Sequence, residues 1–139
     1  MEIAIDFDGT CVTHEFPNIG EDIGAVPVLK KLVAAGHKLI LFTMRSDRYE
    51  NKDTGHPDIS DVTGEFLQSA IKWFNDNHIE LHSVQENPTQ KQWTTSPKCY
   101  AQLYIDDAAL GCPLIYGKHT RPYVDWVEVE KHLIDKNII

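Results

Sequence analysis

Hydrophobic and polar positions alternate from the start of the chain. Ile3, Ile5 and Phe7 interleave with Ala4, Asp6 and Asp8, so an extended strand sends both carboxylates to one side and the apolar residues to the other. Gly9 then breaks the strand. The period next becomes helical: Ala25, Val28, Leu29, Leu32 and Val33 share one face, Pro27 suits the first turn, and Gly36 ends the element. Lys38 to Thr43 is a near-continuous apolar run, as in a central parallel strand covered on both faces. Strand, helix and strand at this spacing form a βαβ unit.

Further along, Met44 to Asp61 is polar and long for a connection, the kind of loop that is usually functional or mobile. Ser60 or Asp61 can cap a helix with Phe66, Leu67, Ala70, Ile71 and Phe74 on its inner face, running to about Asn77. Glu80 to Val84 reads as a third strand, Gln85 to Pro97 as a loop, and Cys99 to Gln102 as a short helical turn. Leu103 to Asp107 is a fourth strand ending in two carboxylates, and Pro113 to Tyr116 a short fifth. A last helix follows Pro122, capped by Asp125, with Val127, Val129, Leu133 and Ile134 turned inward. The whole chain, residues 1–139, is expected to form one α/β domain: a Rossmann-like three-layer sandwich with a mainly parallel sheet and no separate cap domain.

Composition narrows the function. With 42% hydrophobic and 24% charged residues the chain is ordinary for a globular protein, and no apolar run is long enough to span a bilayer. The first strand starts at residue 2, leaving no room for a signal peptide, so a cytoplasmic location is expected. Cys11, Cys99 and Cys112 have neither disulfide nor zinc spacing. The net charge of -8 argues against general nucleic-acid binding or an anionic membrane surface. A protein this acidic that handles a phosphorylated substrate needs a local cation.

Polar residues close three of the strands: Asp6 and Asp8, Thr43, and Asp106 with Asp107. In an open parallel sheet, ligands bind at the carboxyl ends of the strands, near the point where strand order reverses. Taken alone, an Asp-Gly turn explains the first pair equally well. Together, four carboxylates need neutralising, and an all-oxygen set favours a hard ion such as Mg²⁺. Thr43 adds a hydroxyl and Lys98 a mobile positive charge, which completes a site for a phosphoryl group.

Asp6-Phe7-Asp8-Gly9-Thr10, Thr43, Lys98 and Tyr104-Ile105-Asp106-Asp107 resemble, in type and order, the four motifs of the haloacid dehalogenase superfamily of phosphohydrolases. The resemblance covers positions 4 to 107. It implies Asp6 as the nucleophile that takes the phosphoryl group and Asp8 as general acid and base. Thr43, with backbone N–H groups near Phe7 and Met44, would hold phosphoryl oxygens, and Lys98 would offset the charge of Asp6 and the phosphate. Mg²⁺ would be held by Asp107, the Asp6 carboxylate and the Asp8 backbone carbonyl, with Asp106 a second ligand or a partner to one.

Arg45 and Arg48 are candidates for a second anionic group on the substrate, and His14 and His56 lie in loops expected near the mouth. The intervals between motifs are largely used by predicted helices and strands, as in a capless or minimally capped member. An open site suits a macromolecular phosphate or a small sugar or nucleotide phosphate shielded by a second copy, and the acidic balance favours the small molecule. A response-regulator receiver has the same residue types, but its order of Asp pair, Asp, Thr and Lys differs from the order here. A catalytically weak phosphate- or metal-binding module and a phosphotransferase are the remaining alternatives.

Overall fold

A computed structural model describes residues 1–50, 62–118 and 121–139. Its central sheet is built from β1 (Glu2–Ile5), β2 (Lys38–Leu41), β5 (Ser83–Val84) and β6 (Leu103–Ile105), all parallel, in the order β5-β2-β1-β6. From β1 the chain steps outward to β2 and β5, then returns to lay β6 on the other side of β1. Strand order therefore reverses between β1 and β6, and the crevice beyond their carboxyl ends is the topological switch point.

Among the described residues three α-helices accompany the sheet: α1 (Ala25–Ala34), α2 (Phe66–Asp76) and α3 (Trp126–Asp135). Their buried residues, including Leu29, Phe74 and Leu133, form one core with Ile3, Ile5, Leu39, Leu41 and Ile105. Those strand residues are alternate positions, so this core lies against one face of the sheet. Right-handed crossovers that move steadily from β1 to β5 require the same placement for α1 and α2. The opposite face carries Ala4, Ile40 and Tyr104. The crossover from β5 to β6 serves that face with an irregular segment holding one 3₁₀ turn, Gln90–Gln92. The three-layer expectation is corrected here: the second covering layer is loop. The helical turn expected at Cys99 to Gln102 is absent: the backbone of that stretch pairs outward, Tyr100 N–H with Gln90, Tyr100 O with Asn87, Cys99 O with the Tyr104 hydroxyl and Gln102 N–H with Glu2 O.

Local signals explain most boundaries. Gly36 has φ 85°, and the bonds Gly36 N to Val33 O and His37 N to Leu32 O close α1 in the left-handed turn that glycine supplies. Asp125 caps α3 by accepting from Val127 N and Glu128 N. In α3 the inward face is Trp126, Val129 and Leu133, whereas Val127 and Ile134 are exposed. Starting the helix at Trp126 sets that phase.

The caps expected for α2, Ser60 and Asp61, both fall outside the described residues. Asp47 serves instead, its carboxylate accepting from Leu67 N and Gln68 N. Asp47 lies on β3 (Asp47–Arg48), which pairs antiparallel with β4 (Gly64–Glu65), so the long polar connection is closed at its base. The fifth strand is β7 (Leu114–Ile115), which leaves the central sheet and pairs antiparallel with β8 (Tyr123–Val124). No helix among the described residues is long and apolar enough to cross a membrane.

Candidate functional site

Beyond Ile5 the chain stays extended for one more residue, since Asp6 N–H donates to Ile105 O at 3.0 Å. It then folds into a tight turn in which Thr10, Cys11 and Val12 N–H all reach Phe7 O. Phe7 is fully buried against Trp73 and Phe74, which anchors the turn in the core. The turn places Asp6 beside the end of β6, where carboxylate oxygens of Asp6, Asp106 and Asp107 lie within 4.8 Å of one another.

Thr10 joins two of these acids. Its buried hydroxyl accepts from Asp107 N–H at 3.1 Å and donates its one proton to Asp6 Oδ2 at 3.1 Å, with Asp107 Oδ1 farther away at 3.5 Å. The Thr10 carbonyl accepts from the Trp126 indole N–H at 2.7 Å, and Val124 N–H donates to Gly9 O. The C-terminal elements thus brace the acidic turn. The His14 Nε2 atom lies 3.0 Å from Asp107 Oδ2, an arrangement sequence reasoning anticipated only as a loop near the mouth.

Gly9 is required at its position. It has φ 81°, and a Cβ there would lie 2.0 Å from His14 Nε2 and 2.8 Å from Asp107 Oδ2. Gly9→Ala is expected to lower stability by about 1–3 kcal/mol and to push the imidazole off Asp107. A urea titration reads the first effect and the His14 ring resonances the second; an unchanged midpoint with unmoved resonances would contradict it.

Burial pushes the Asp6 carboxyl from 3.8 up to about 7; the Phe7 N–H opposes this, the charges of Asp106 and Asp107 add to it, and the Thr10 hydroxyl opposes it. The donor set is carboxylate oxygen alone, which fits a hard divalent cation.

Asp8 behaves differently. Both its oxygens accept from Arg45, Oδ2 from Nε and Oδ1 from Nη2, each at 2.7 Å. The same guanidinium donates to the carbonyls of Asn18, Pro17 and Phe66, and lies over the rings of Phe7 and Phe16 at 5.1 and 5.2 Å. Arg45 is 3% exposed. The expectation that it reaches for substrate is corrected: its donors are used inside the protein. The Asp8 side chain is correspondingly outside the cluster of three acids.

Thr43 stands at the end of β2, and its hydroxyl accepts from Arg45 N–H at 3.2 Å. Gln85, to which the sequence reading gave no role, holds this corner: it accepts from Thr43 N–H and donates to the carbonyls of Thr43 and Arg45. The Met44 side chain is 97% exposed. Lys98 is also exposed, its Nζ 5.8 Å from the centre of the Tyr104 ring, and it forms no ion pair among the described residues. Lys91 is paired with Glu86 at 3.0 Å. Arg48 lies on β3, and His56 lies outside the described residues. Sequence reasoning thus placed the acids correctly at the sheet edge and missed Thr10 and Gln85, whose roles depend on partners across the fold.

The fold and the acids define an α/β protein with a candidate cation site at its topological switch point. No family model matches the chain, and no curated protein does. Among solved structures, a conserved protein coded by a locus from Bacteroides thetaiotaomicron is 31% identical, with a TM-score of 0.71 over 98% of this chain and 91% of that one. The chain belongs to one family with that protein.

Proposed function

We propose that the protein is a Mg²⁺-dependent phosphohydrolase of the haloacid dehalogenase type, acting on a small phosphate monoester through an aspartyl phosphate on Asp6. The observation that carries this reading is the convergence of Asp6, Asp106 and Asp107 from two neighbouring strands within 4.8 Å at the switch point. The order of motifs along the chain supports it, with Thr43 closing β2 and Lys98 preceding β6.

In this reading Asp6, Asp106 and Asp107, with the Asp8 carbonyl, hold the ion, which when bound supplies the positive charge that lets a phosphate approach three carboxylates. An Asp6 oxygen attacks phosphorus as the bond to the leaving oxygen breaks. Asp8, which takes up a proton from solvent before the attack, gives it to that oxygen, then takes one back from the water that displaces Asp6 and releases inorganic phosphate. For either transfer, one Asp8 oxygen exchanges an Arg45 N–H for the reacting group. Thr43, the backbone N–H of Met44 and Lys98 hold the phosphoryl oxygens.

The test is phosphate release from p-nitrophenyl phosphate. Turnover should require Mg²⁺ and stop on chelation, and acid-quenched enzyme should carry one phosphoryl group on the peptide containing Asp6. Metal-independent turnover, or a phosphoryl group on another residue, would refute the mechanism. The engagement of both Asp8 oxygens by Arg45 favours one second reading, a phosphate-binding module of weak catalysis. That reading predicts Mg²⁺-dependent phosphate binding without turnover.

A further inference from the structure

We infer that His14 is a positioning residue that leaves Asp107 one open oxygen and thereby sets the preference of the acids for Mg²⁺ over Ca²⁺; the inference rests on the reading above only for a cation at the acids. His14 Nε2 lies 3.0 Å from Asp107 Oδ2, with the two side chains 12% and 15% exposed. An ionised carboxylate only accepts, so the imidazole presents Nε2–H to it. The other oxygen, Asp107 Oδ1, lies 3.5 Å from the Thr10 hydroxyl, which itself donates to Asp6 Oδ2 at 3.1 Å. The oxygen left open is therefore the one on the Asp6 side. His14 is not among the residues whose ligand atoms converge within 4.8 Å, so it acts on the ion through Asp107.

The imidazole is carried there on braced backbone. Gly9 N–H donates to Val12 O at 2.7 Å, Thr13 N–H donates to Glu21 O at 3.0 Å, and the buried Thr13 hydroxyl accepts from Glu21 N–H at 2.9 Å. Both residues before His14 are thus fixed. Gly9 supplies the room that the ring fills, since a Cβ there would lie 2.0 Å from Nε2. Such bracing keeps the imidazole on Oδ2 when a cation draws on the carboxylate.

The other two acids are paired in the same way. Asp6 Oδ2 accepts from Thr10, and Asp106 Oδ1 accepts from Ala108 N–H at 2.8 Å. One oxygen of each acid then faces an ion without competition. Ca²⁺ gathers about six to eight oxygens and takes carboxylates through both, whereas the smaller Mg²⁺ wants fewer protein ligands and keeps its waters. Removing the imidazole frees Asp107 to close on an ion with both oxygens, which favours Ca²⁺.

The experiment titrates the full-length wild type, His14→Ala, His14→Asn and His14→Gln with MgCl₂ and with CaCl₂ by calorimetry, urea midpoints showing which variants are folded. Wild type should bind Mg²⁺ more tightly than Ca²⁺. The ratio of the two affinities should fall about tenfold in His14→Ala and in His14→Asn, which is too short to reach Oδ2. His14→Gln, whose amide N–H reaches it, should stay within about twofold of wild type. An unchanged ratio in the folded short variants, equal losses for both ions, a glutamine variant that behaves as they do, or a wild type that binds neither ion would overturn the inference. A His14-dependent ratio in a protein that releases no phosphate from p-nitrophenyl phosphate would sustain it and refute the phosphatase. Mg²⁺-dependent turnover with a ratio indifferent to His14 would do the reverse.

Discussion

Arg45→Ala should lower the free energy of unfolding by about 3–5 kcal/mol, because it leaves the partly buried Asp8 carboxylate facing an emptied, apolar niche. The loss has several parts. The guanidinium makes two 2.7 Å bonds to Asp8, a third at 2.7 Å to Asn18 O, and stacks between Phe7 and Phe16. Lysine is a poor substitute, since one ammonium cannot span both oxygens and the Asn18 carbonyl together. Adding Asp8→Asn to Arg45→Met should recover part of the loss, because the uncompensated charge goes with the carboxylate. Urea midpoints of the four proteins check this. A single-variant loss under about 1 kcal/mol would mean that water reaches the niche and screens Asp8.

Asp6→Asn should abolish turnover, by on the order of 10³-fold or more, and yet make the metal-free protein more stable at alkaline pH. Asp6 has a folded-state pKa near 7 against an ordinary 3.8, so the folded chain holds a proton that the unfolded chain has released between those values. Stability therefore falls as pH rises from about 4 to about 7, and the cost is complete above 7. From 3.8 to about 7 corresponds to about 4 kcal/mol at full ionisation. Asparagine removes that cost, so the gain should be largest at pH 8, shrink through the window and vanish below about pH 4. Mg²⁺ should stabilise the wild type at pH 8 and the variant much less. Thermal melts across pH in chelator and in Mg²⁺ supply the measurement. A variant that melts below wild type at pH 8 without metal would contradict the account.

The acidic ends of β1 and β6 could be read from the chain because each strand announces itself with apolar residues and stops on carboxylates. Helix faces were readable for the same reason: Phe66, Ala70 and Phe74 repeat at the spacing that buries them. Arg45 was misread because its surroundings in sequence are polar. Its burial comes from Phe7, Phe16, Asn18 and Phe66, which no local pattern connects to it. Gln85 and Gln90 were missed on similar grounds, since a glutamine in a loop looks solvated until the backbone groups it serves are known. The second face of the sheet was misjudged because parallel strands covered on both sides look alike in sequence whether a helix or a loop provides the cover. Ala4 and Ile40 are buried either way.

The return path from β5 to β6 has a bearing on how this architecture can change. A helical crossover must keep its apolar stripe in phase, so an added residue rotates everything beyond it by about 100°. Here the tie points are a handful of side-chain amides, and the stretch between Gln90 and Lys98 carries no such phase. Residues can be inserted there while Gln90 still finds its partners, so this crossover can change length with the scaffold left alone.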